Sequence, residues 1–332
     1  MRGPLSRRPG HERAAVPRNV PLGAAALLLT CVSLVIGFRA ADADGPTPVP
    51  QALAFLPWLL VPGAAGLGLA ALARWRGGLV WAAVALAMTV WFVRPYGPGS
   101  TGAHGPVAAR LDVLTSNVEF GGATDALITT VRHERPDVVF VQECDFACAD
   151  ALAARVPAAS YPYRDVVRLD GSLGSAILSR LPLRPAGRVG GTMAMPGAVA
   201  VVAGREVRLQ LAHPMPPVPG GVSVWRRELG RIRDLAAAVR ERPAVVAGDF
   251  NASQDHAAFR AVLDAGALHD SARLAGSSRT YSWPADRATP LRTQIDHVLV
   301  SEEFSVRSAR FLRLAATDHR ALLVALELHD GG

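Results

Sequence analysis

The chain has 332 residues, half of them hydrophobic and only 19% charged, with a formal net charge of +7. So apolar a composition excludes a disordered chain, and three cysteines are too few for a disulfide scaffold. The charge is unevenly placed. Residues 1–94 hold nine Arg against Glu12, Asp42 and Asp44, a net of +6, whereas the remainder carries 26 Arg against 25 acids. A nucleic-acid binder concentrates basic charge on the domain that binds. Here the surplus lies in the apolar first quarter, which points to a membrane and makes nucleic acid an unlikely partner.

Three apolar runs, 20–38, 52–73 and 79–93, are expected to form transmembrane helices within 20–94. A crossing takes about 20 apolar residues, so the third run must borrow flanking residues. Trp75, Trp81, Trp91, Phe92 and Tyr96 lie near the run ends, where aromatic belts form. The tail 1–19 carries five Arg, the next loop has one Arg with two Asp, and the turn Arg74-Trp75-Arg76 is basic again. The positive-inside rule then places tail and turn in the cytoplasm and everything after the third span outside a cell membrane. A cleaved signal peptide ending at Ala41-Asp42-Ala43 is the other reading, and it leaves two apolar runs unexplained. Cys31 reads as a small apolar residue within the first span. Cys144 and Cys148, four apart, approach each other on a helix and can pair in an oxidising exterior; they lack the second ligand pair of a zinc site.

Residues 95–106 are Gly/Pro-rich and read as a linker to a domain at 107–330. Strands are expected at 110–118, 137–142, 175–178, 206–212, 244–247, 294–300 and 321–328. Leu229, Ile232, Leu235, Ala236 and Val239 recur at helical spacing and predict a helix over 224–240; a shorter one over 259–264 stops at Gly266. No internal repeat is visible. The pattern suits two packed sheets flanked by helices.

Polar residues cluster at strand ends: Asn117, Glu143, His213, Asp249 and Asn251, with Asp296 and His297 in one late strand and Asp318 and His319 before another. If the strands share sheets, these ends converge on one rim. Glu143 and Asp318 are hard oxygen donors beside an amide, which suits Mg²⁺, Mn²⁺ or Ca²⁺ better than zinc. No G-x-x-x-x-G-K-[ST], G-x-S-x-G or H-E-x-x-H occurs. The chemistry suggested is metal-assisted attack of water on a phosphate ester. Arg226 and Arg227 are either a solvated helix face or phosphate contacts, Trp283 reads as a core residue, and His297 as a packing histidine.

The ordered set SNVEF, QEC, LAHP, GDFNAS, IDHVLVS and TDHRALLV resembles the endonuclease/exonuclease/phosphatase superfamily over about 110–328. With the apolar quarter, the chain further resembles membrane phosphatases of the VanJ teicoplanin-resistance type. The resemblance implies an α/β fold, a four-layer α/β/β/α sandwich preceded by the three transmembrane helices. It also implies Mg²⁺ (Mn²⁺ as the substitute), with Glu143 as principal metal ligand, Asn117 beside it and Asp318 as a second ligand. Asp249 would orient or deprotonate the attacking water, and Asn251 would hold a phosphate oxygen. His319, its tautomer fixed by Asp296, would stabilise developing charge, and His213 would bind the phosphate or assist the leaving group.

An outward domain tethered to a membrane meets lipid head groups first, and its near-zero charge lacks a nonspecific nuclease's electrostatic footprint. The Pro-rich stretch 213–221 beside the site is either a lipid-facing surface or an ordinary loop. The expected substrate is a lipid-linked phosphate, with glycopeptide resistance following from the resemblance. An extracellular nuclease or phospholipase, and a non-catalytic membrane-anchored binding protein, are the alternatives.

Overall fold

The computed structural model describes residues 19–331, so nearly all of the basic tail expected at 1–19 lies outside the described residues. The apolar quarter folds as α1 (Asn19–Ala40), α2 (Val49–Ala54), a 3-10 turn (Leu56–Leu59), α3 (Leu60–Leu72) and α4 (Arg76–Val93). α1, α3 and α4 pack on one another. Close approach needs small residues: a Cβ on Gly66 would fall 2.9 Å from Leu29. Their outer faces carry exposed Leu27, Leu34, Val61, Val80, Val84 and Val90.

The apolar runs are not three equal spans. Among the described residues only α1 and α4 are long and apolar enough to cross a membrane, and the continuous helical part of the second run, Leu56–Leu72, is shorter. The reason is local. α2 ends at Phe55, and Pro57 at the start of the next turn lacks an amide and restricts the residue before it. The first residues of that run therefore turn aside onto the following domain. The third run does borrow its flank, beginning at Arg76.

The domain continues with β1 (His104–Asn117), α5 (Thr124–Glu134), β2 (Val138–Gln142), α6 (Phe146–Arg155), β3 (Tyr163–Val167), β4 (Ser175–Ser179), β5 (Leu183–Val189), β6 (Met195–Val202), β7 (Arg205–Ala212), α7 (Val222–Ala238), β8 (Ala244–Asp249), α8 (Ala257–Gly266), β9 (His269–Asp270), α9 (Ser271–Leu274), β10 (Asp296–Val300), β11 (Phe304–Arg313) and β12 (Arg320–Gly331). β1 thus starts inside the stretch 95–106 expected as a linker. Two six-stranded sheets form, ordered β11-β12-β1-β2-β4-β3 and β5-β6-β7-β8-β10-β9.

These sheets repeat one design that no sequence repeat announces. In each, the central pair is parallel, β1 with β2 and β7 with β8, and all other pairings are antiparallel. The parallel pairs are joined by helical crossovers, α5 and α7. Strand alternation sorts the side chains. Leu111, Val113, Val138 and Phe140 join the core between the sheets, with Leu209 and Leu211 of β7. Leu114, Val139 and Val141 face the other way, onto Leu127, Ile128 and Val131 of α5 and Leu152 of α6. On the far side α7 buries Trp225, Leu229, Ile232 and Ala236, a stripe at helical spacing. The result is helices, sheet, sheet, helices, a mixed α/β sandwich in which the carboxyl ends of both parallel pairs meet.

Candidate active site

Each half of the sandwich contributes matching positions. Asn117 closes β1 and Glu143 follows β2; His213 follows β7 and Asp249 closes β8. A strand's last side chain is rigidly held while the loop after it is free to carry polar groups, so this rim assembles without strain in the sheets. Strain sits in the loops instead. Glu143 (φ 58°) and Asn251 (φ 47°) both adopt left-handed backbone conformations, uncommon for residues with side chains and typical of functional positions. Gly248 has no alternative: a Cβ there would fall 1.9 Å from the Ala212 carbonyl oxygen, because β7 and β8 close tightly behind the site.

Asn117 holds the first group together. Its Nδ2 donates to Glu143 Oε1 at 3.0 Å and to Asp249 Oδ2 at 3.1 Å, while its Oδ1 accepts from the Glu119 amide at 3.0 Å. Glu143 Oε2 accepts from the Phe120 amide at 3.1 Å. His213 Nε2 stands 3.7 Å from Glu143 and 4.0 Å from Asp249, and neither ring nitrogen has a hydrogen-bond partner although both are buried. Burial, reinforced by the nearby His319 charge, pushes the His213 imidazole down to about 3, so it is neutral near pH 7.

The second group is built on β10 and the turn before β12. Asp296 lies opposite Asp249 in the β8–β10 ladder. Its Oδ2 meets His319 Nδ1 at 2.8 Å, and its Oδ1 is buried without a partner. Burial alone pulls His319 down. The Asp296 and Asp249 carboxylates, the Asp296 hydrogen bond and Asp318 reverse that and raise it to about 10, leaving a cationic imidazolium. His319 Nε2 then points toward Asp249 Oδ2 and Asp318 Oδ1, both at 3.7 Å. Asp249 itself is raised to about 7, first by burial and then by Asp296, against the lowering pull of His319.

Nine site residues were expected, and eight converge here. Asn251 sits at the edge, its Nδ2 donating to the Pro214 carbonyl at 3.0 Å and its own carbonyl accepting from Trp225 Nε1 at 3.1 Å. Asp318 is fixed by Trp283 Nε1 at 2.7 Å and by the pull of the Glu119 carboxylate on its amide at 2.7 Å. Arg226 is not brought to the cluster: its guanidinium donates to the Gly45 carbonyl in the loop between α1 and α2. Glu119, Trp283 and Thr317, whose hydroxyl donates to the Asn117 carbonyl at 3.0 Å, were missed as site supports. Trp283 was read as core, and nothing in its TYSWP segment pointed to Asp318 so far along the chain. His297 is a packing residue as expected, 4.3 Å from the Phe259 ring centre and hydrogen-bonded to Asp270 at 3.0 Å. Cys144 and Cys148 are joined as a disulfide directly after Glu143.

The donor set suits a hard cation. Glu143, Asp249, Asp296 and Asp318 crowd four carboxylates around one imidazolium, and the Asn117 amide hydrogens sit where positive charge is needed between Glu143 and Asp249. Asp249, Asp296 and His319 offer ligand atoms within 4.8 Å of one another. The short Asp296–His319 hydrogen bond commits two of those atoms and fits that pair for proton and charge chemistry, while the Glu143–Asp249 edge, now bridged by the Asn117 amide hydrogens, fits an ion once that amide turns away.

The fold is similar to several solved structures at low identity, a likeness that concerns the fold alone. A D. rerio TDP2 humanized by 14 mutations aligns with TM-score 0.53 at 18% identity, covering 65% of this chain and 98% of that one. A family protein from Bacteroides thetaiotaomicron aligns with TM-score 0.51 at 16% identity, covering 66% and 98%. The human Nocturnin catalytic domain with bound sulfate aligns with TM-score 0.53 at 15% identity, covering 68% and 96%. No curated protein sequence matches the chain. The model of the Endonuclease/Exonuclease/phosphatase family matches residues 114–319, well over half the chain and all the converging residues, and the chain therefore belongs to that family.

Proposed function

We propose that this chain is a membrane-anchored, outward-facing phosphoesterase that uses Mg²⁺ or Mn²⁺ to hydrolyse phosphate or pyrophosphate on polyprenyl-linked cell-wall intermediates. The family is hydrolytic, of nuclease or phosphatase type, and generally dependent on divalent metal. The observation that carries the reading is the meeting of Glu143, Asp249 and Asn117 with a neutral His213 and a charged His319 on one rim. The apolar outer faces of α1, α3 and α4 support the anchor. The end of α4 at Phe92 and Val93 is held by Arg279 of the domain, so the basic turn Arg74–Arg76 before its other end lies away from the domain, which supports the topology expected from the positive-inside rule.

Glu143 and the facing oxygen of Asp249 would hold the ion, with Asn117 joining them only once its side chain turns Oδ1, now on the Glu119 amide, toward them in place of Nδ2, and Asp318 would serve a second ion. The ion would polarise the phosphoryl group and lower the pKa of bound water. The remaining work falls to side chains. Asp249 orients the attacking water and takes its proton. Asn251 donates to a phosphate oxygen once its side chain releases the Pro214 carbonyl. His213, whose buried nitrogens lack partners, hydrogen-bonds the phosphate. His319, held by Asp296, places positive charge where negative charge grows in the transition state. Glycopeptide (teicoplanin) resistance would follow from a changed pool of lipid-linked precursors.

The test is phosphate release by the purified full-length protein from polyprenyl phosphate and pyrophosphate, compared with cleavage of DNA. Release from the lipid that stops on chelation, returns with Mg²⁺ and is absent in Asp249→Ala is the expected result. Cleavage of DNA alone would replace this reading with an anchored nuclease. Intact resistance in Asp249→Ala cells at normal protein level would favour a non-catalytic binding protein.

A further inference from the structure

The catalytic domain is not hung on a free tether; it is clamped to the helices. The Asp44 carboxylate accepts from the Ala257 amide at 2.7 Å and the Ala258 amide at 3.1 Å, capping α8 from a distant part of the chain. Asp42 pairs with the buried Arg260. Arg279 donates to the Val93 carbonyl at 2.6 Å and to Asp255 at 2.6 Å, and Gln254 Nε2 donates to the Arg94 carbonyl at 3.1 Å. Even the glycine-rich stretch after α4 is pinned, by the Tyr96 hydroxyl on Asp264 at 2.8 Å.

Between these anchors, α2 lies against the supports of the candidate site. The Pro50 carbonyl meets His256 Nε2 at 2.8 Å; His256 packs edge-on against Trp225 at 5.0 Å, and Trp225 holds the Asn251 carbonyl. Gln51 Nε2 donates to the Pro217 carbonyl, in the loop that follows His213. The Ala54 carbonyl accepts from Thr293 Oγ1 at 2.6 Å, and Thr293 is bridged to Trp283, which holds Asp318. The Phe55 ring lies 6.5 Å from the Trp283 ring. Beside these contacts, Val218 (46% exposed) and Leu291 (48% exposed) leave apolar surface open next to the apolar helices.

We propose that α2 and Phe55 form the helix-side wall of the active site, and that this wall selects phosphoesters whose hydrocarbon chain stays in the bilayer over freely soluble ones. The proposal rests on the outward-facing phosphoesterase reading above. A chain held in the bilayer brings its phosphate to the rim from the helix side, along α2, already oriented; a soluble ester arrives without that constraint and does not use the wall. Asp42 and Asp44 anchor the wall without touching substrate.

The experiment uses the full-length protein in mixed micelles with Mg²⁺ and three substrates: polyprenyl phosphate, phosphatidylcholine and soluble bis(p-nitrophenyl) phosphate. Asp44→Ala is expected to lower kcat/KM at least tenfold on the membrane-held substrate, mainly through KM, and to leave the soluble ester within twofold. Asp44→Asn keeps an acceptor for the α8 amides and is expected to restore most of the loss. Asp42→Ala, which removes a largely exposed carboxylate from Arg260, is expected to show the same selectivity more weakly. Equal losses on held and soluble substrates, or no loss on either, would overturn the wall. Turnover of phosphatidylcholine without polyprenyl phosphate, still selectively lost in Asp44→Ala, would overturn the cell-wall reading and keep the wall. A wild type active only on the soluble ester would overturn both.

Discussion

Asp296 shows how much of the site depends on one carboxylate. It is fully buried, its backbone amide donates to Ser282 Oγ at 3.1 Å, and among the described residues its side chain is hydrogen-bonded to His319 alone, at 2.8 Å. That hydrogen bond holds Nδ1–H toward the acid and leaves Nε2 facing the reaction rim. Asp296→Asn keeps shape and removes charge, so His319 loses the main interaction that offsets its burial and is no longer held protonated. The expected outcome is a fall in kcat of about a hundredfold or more with little change in thermal stability, measured by steady-state phosphate release. Activity within twofold of wild type would mean that His319 acts without its partner. At this scale much was legible: acids, amides and histidines at strand ends identify themselves by chemistry and position. Glu119, Thr317 and Trp283 did not, because their role is defined by a partner far along the chain. Arg226 misled for the same reason; a basic residue on an amphipathic helix says nothing of the Gly45 carbonyl waiting beside it.

At the scale of strands and helices, the central strands were readable with the exception of β6, and the edges were not. β2 and β8 are buried along their whole length and appear as apolar runs. β5 and β11 lie at sheet edges, carry Arg and Pro185 or repeated Ser and Arg, and look like loops. The twofold design of the sheets leaves no sequence trace because a fold constrains burial and pairing rather than residue identity. Gly248 is where the central pairing is least forgiving. Gly248→Ala must displace β7 from β8 directly beneath the site, and is expected to cost at least about 2 kcal/mol, a fall in Tm of roughly five degrees or more by calorimetry. A second expectation concerns α8 and its His256. Burial lowers the His256 pKa, with Asp44 and the Pro50 and Ser253 hydrogen bonds pulling the other way; Nδ1 accepts from the Ser253 amide at 2.9 Å, so the folded ring is neutral. Below about 6.5, its ordinary value, the unfolded ring takes a proton that the folded ring does not. Stability contributed by this group is therefore complete above that pH and is lost as pH falls below it. Between pH 7 and 5 the Tm of wild type is expected to fall relative to that of His256→Gln. Parallel curves would remove His256 as a contributor. His213 and His269, also depressed by burial, act in the same direction, whereas Asp249, raised to about 7, takes its proton first in the folded state and opposes them, so the difference between wild type and His256→Gln is what isolates His256.

Considered as a whole, the molecule joins an apolar helical bundle to a sandwich through buried polar contacts, an arrangement that tolerates separation poorly. Asp255 is fully buried, with Arg279 at 2.6 Å and Arg39 of α1 at 3.9 Å, and Arg260 is 2% exposed. Removing the helices would take away Arg39, the Asp42 partner of Arg260, the Asp44 cap of α8 and the carbonyls of Pro50, Ala54, Phe92 and Val93. Loss of a helix cap alone costs about 0.5–2 kcal/mol, and breaking a buried ion pair about 3–5 kcal/mol where no water replaces the partner. Newly admitted water reduces the second cost without restoring geometry at Asn251 and Asp318, whose supports lean on α2. An isolated fragment starting at His104 is therefore expected to melt well below the full-length protein in detergent. It is also expected to lose activity even on soluble esters, because the fragment, unlike Asp44→Ala, lacks Pro50 and Phe55 altogether, so that His256 and Trp283 lose the groups they rest on. Thermal unfolding followed together with soluble-ester hydrolysis tests this. A fragment with unchanged Tm and activity would show that the sandwich carries its site unaided and that the clamp serves only to position it at the membrane. The sequence hid this dependence because each polar residue of the clamp reads singly as a loop residue. Asp42 and Asp44 look like a hydrophilic turn between apolar runs until Arg260 and α8 are set against them.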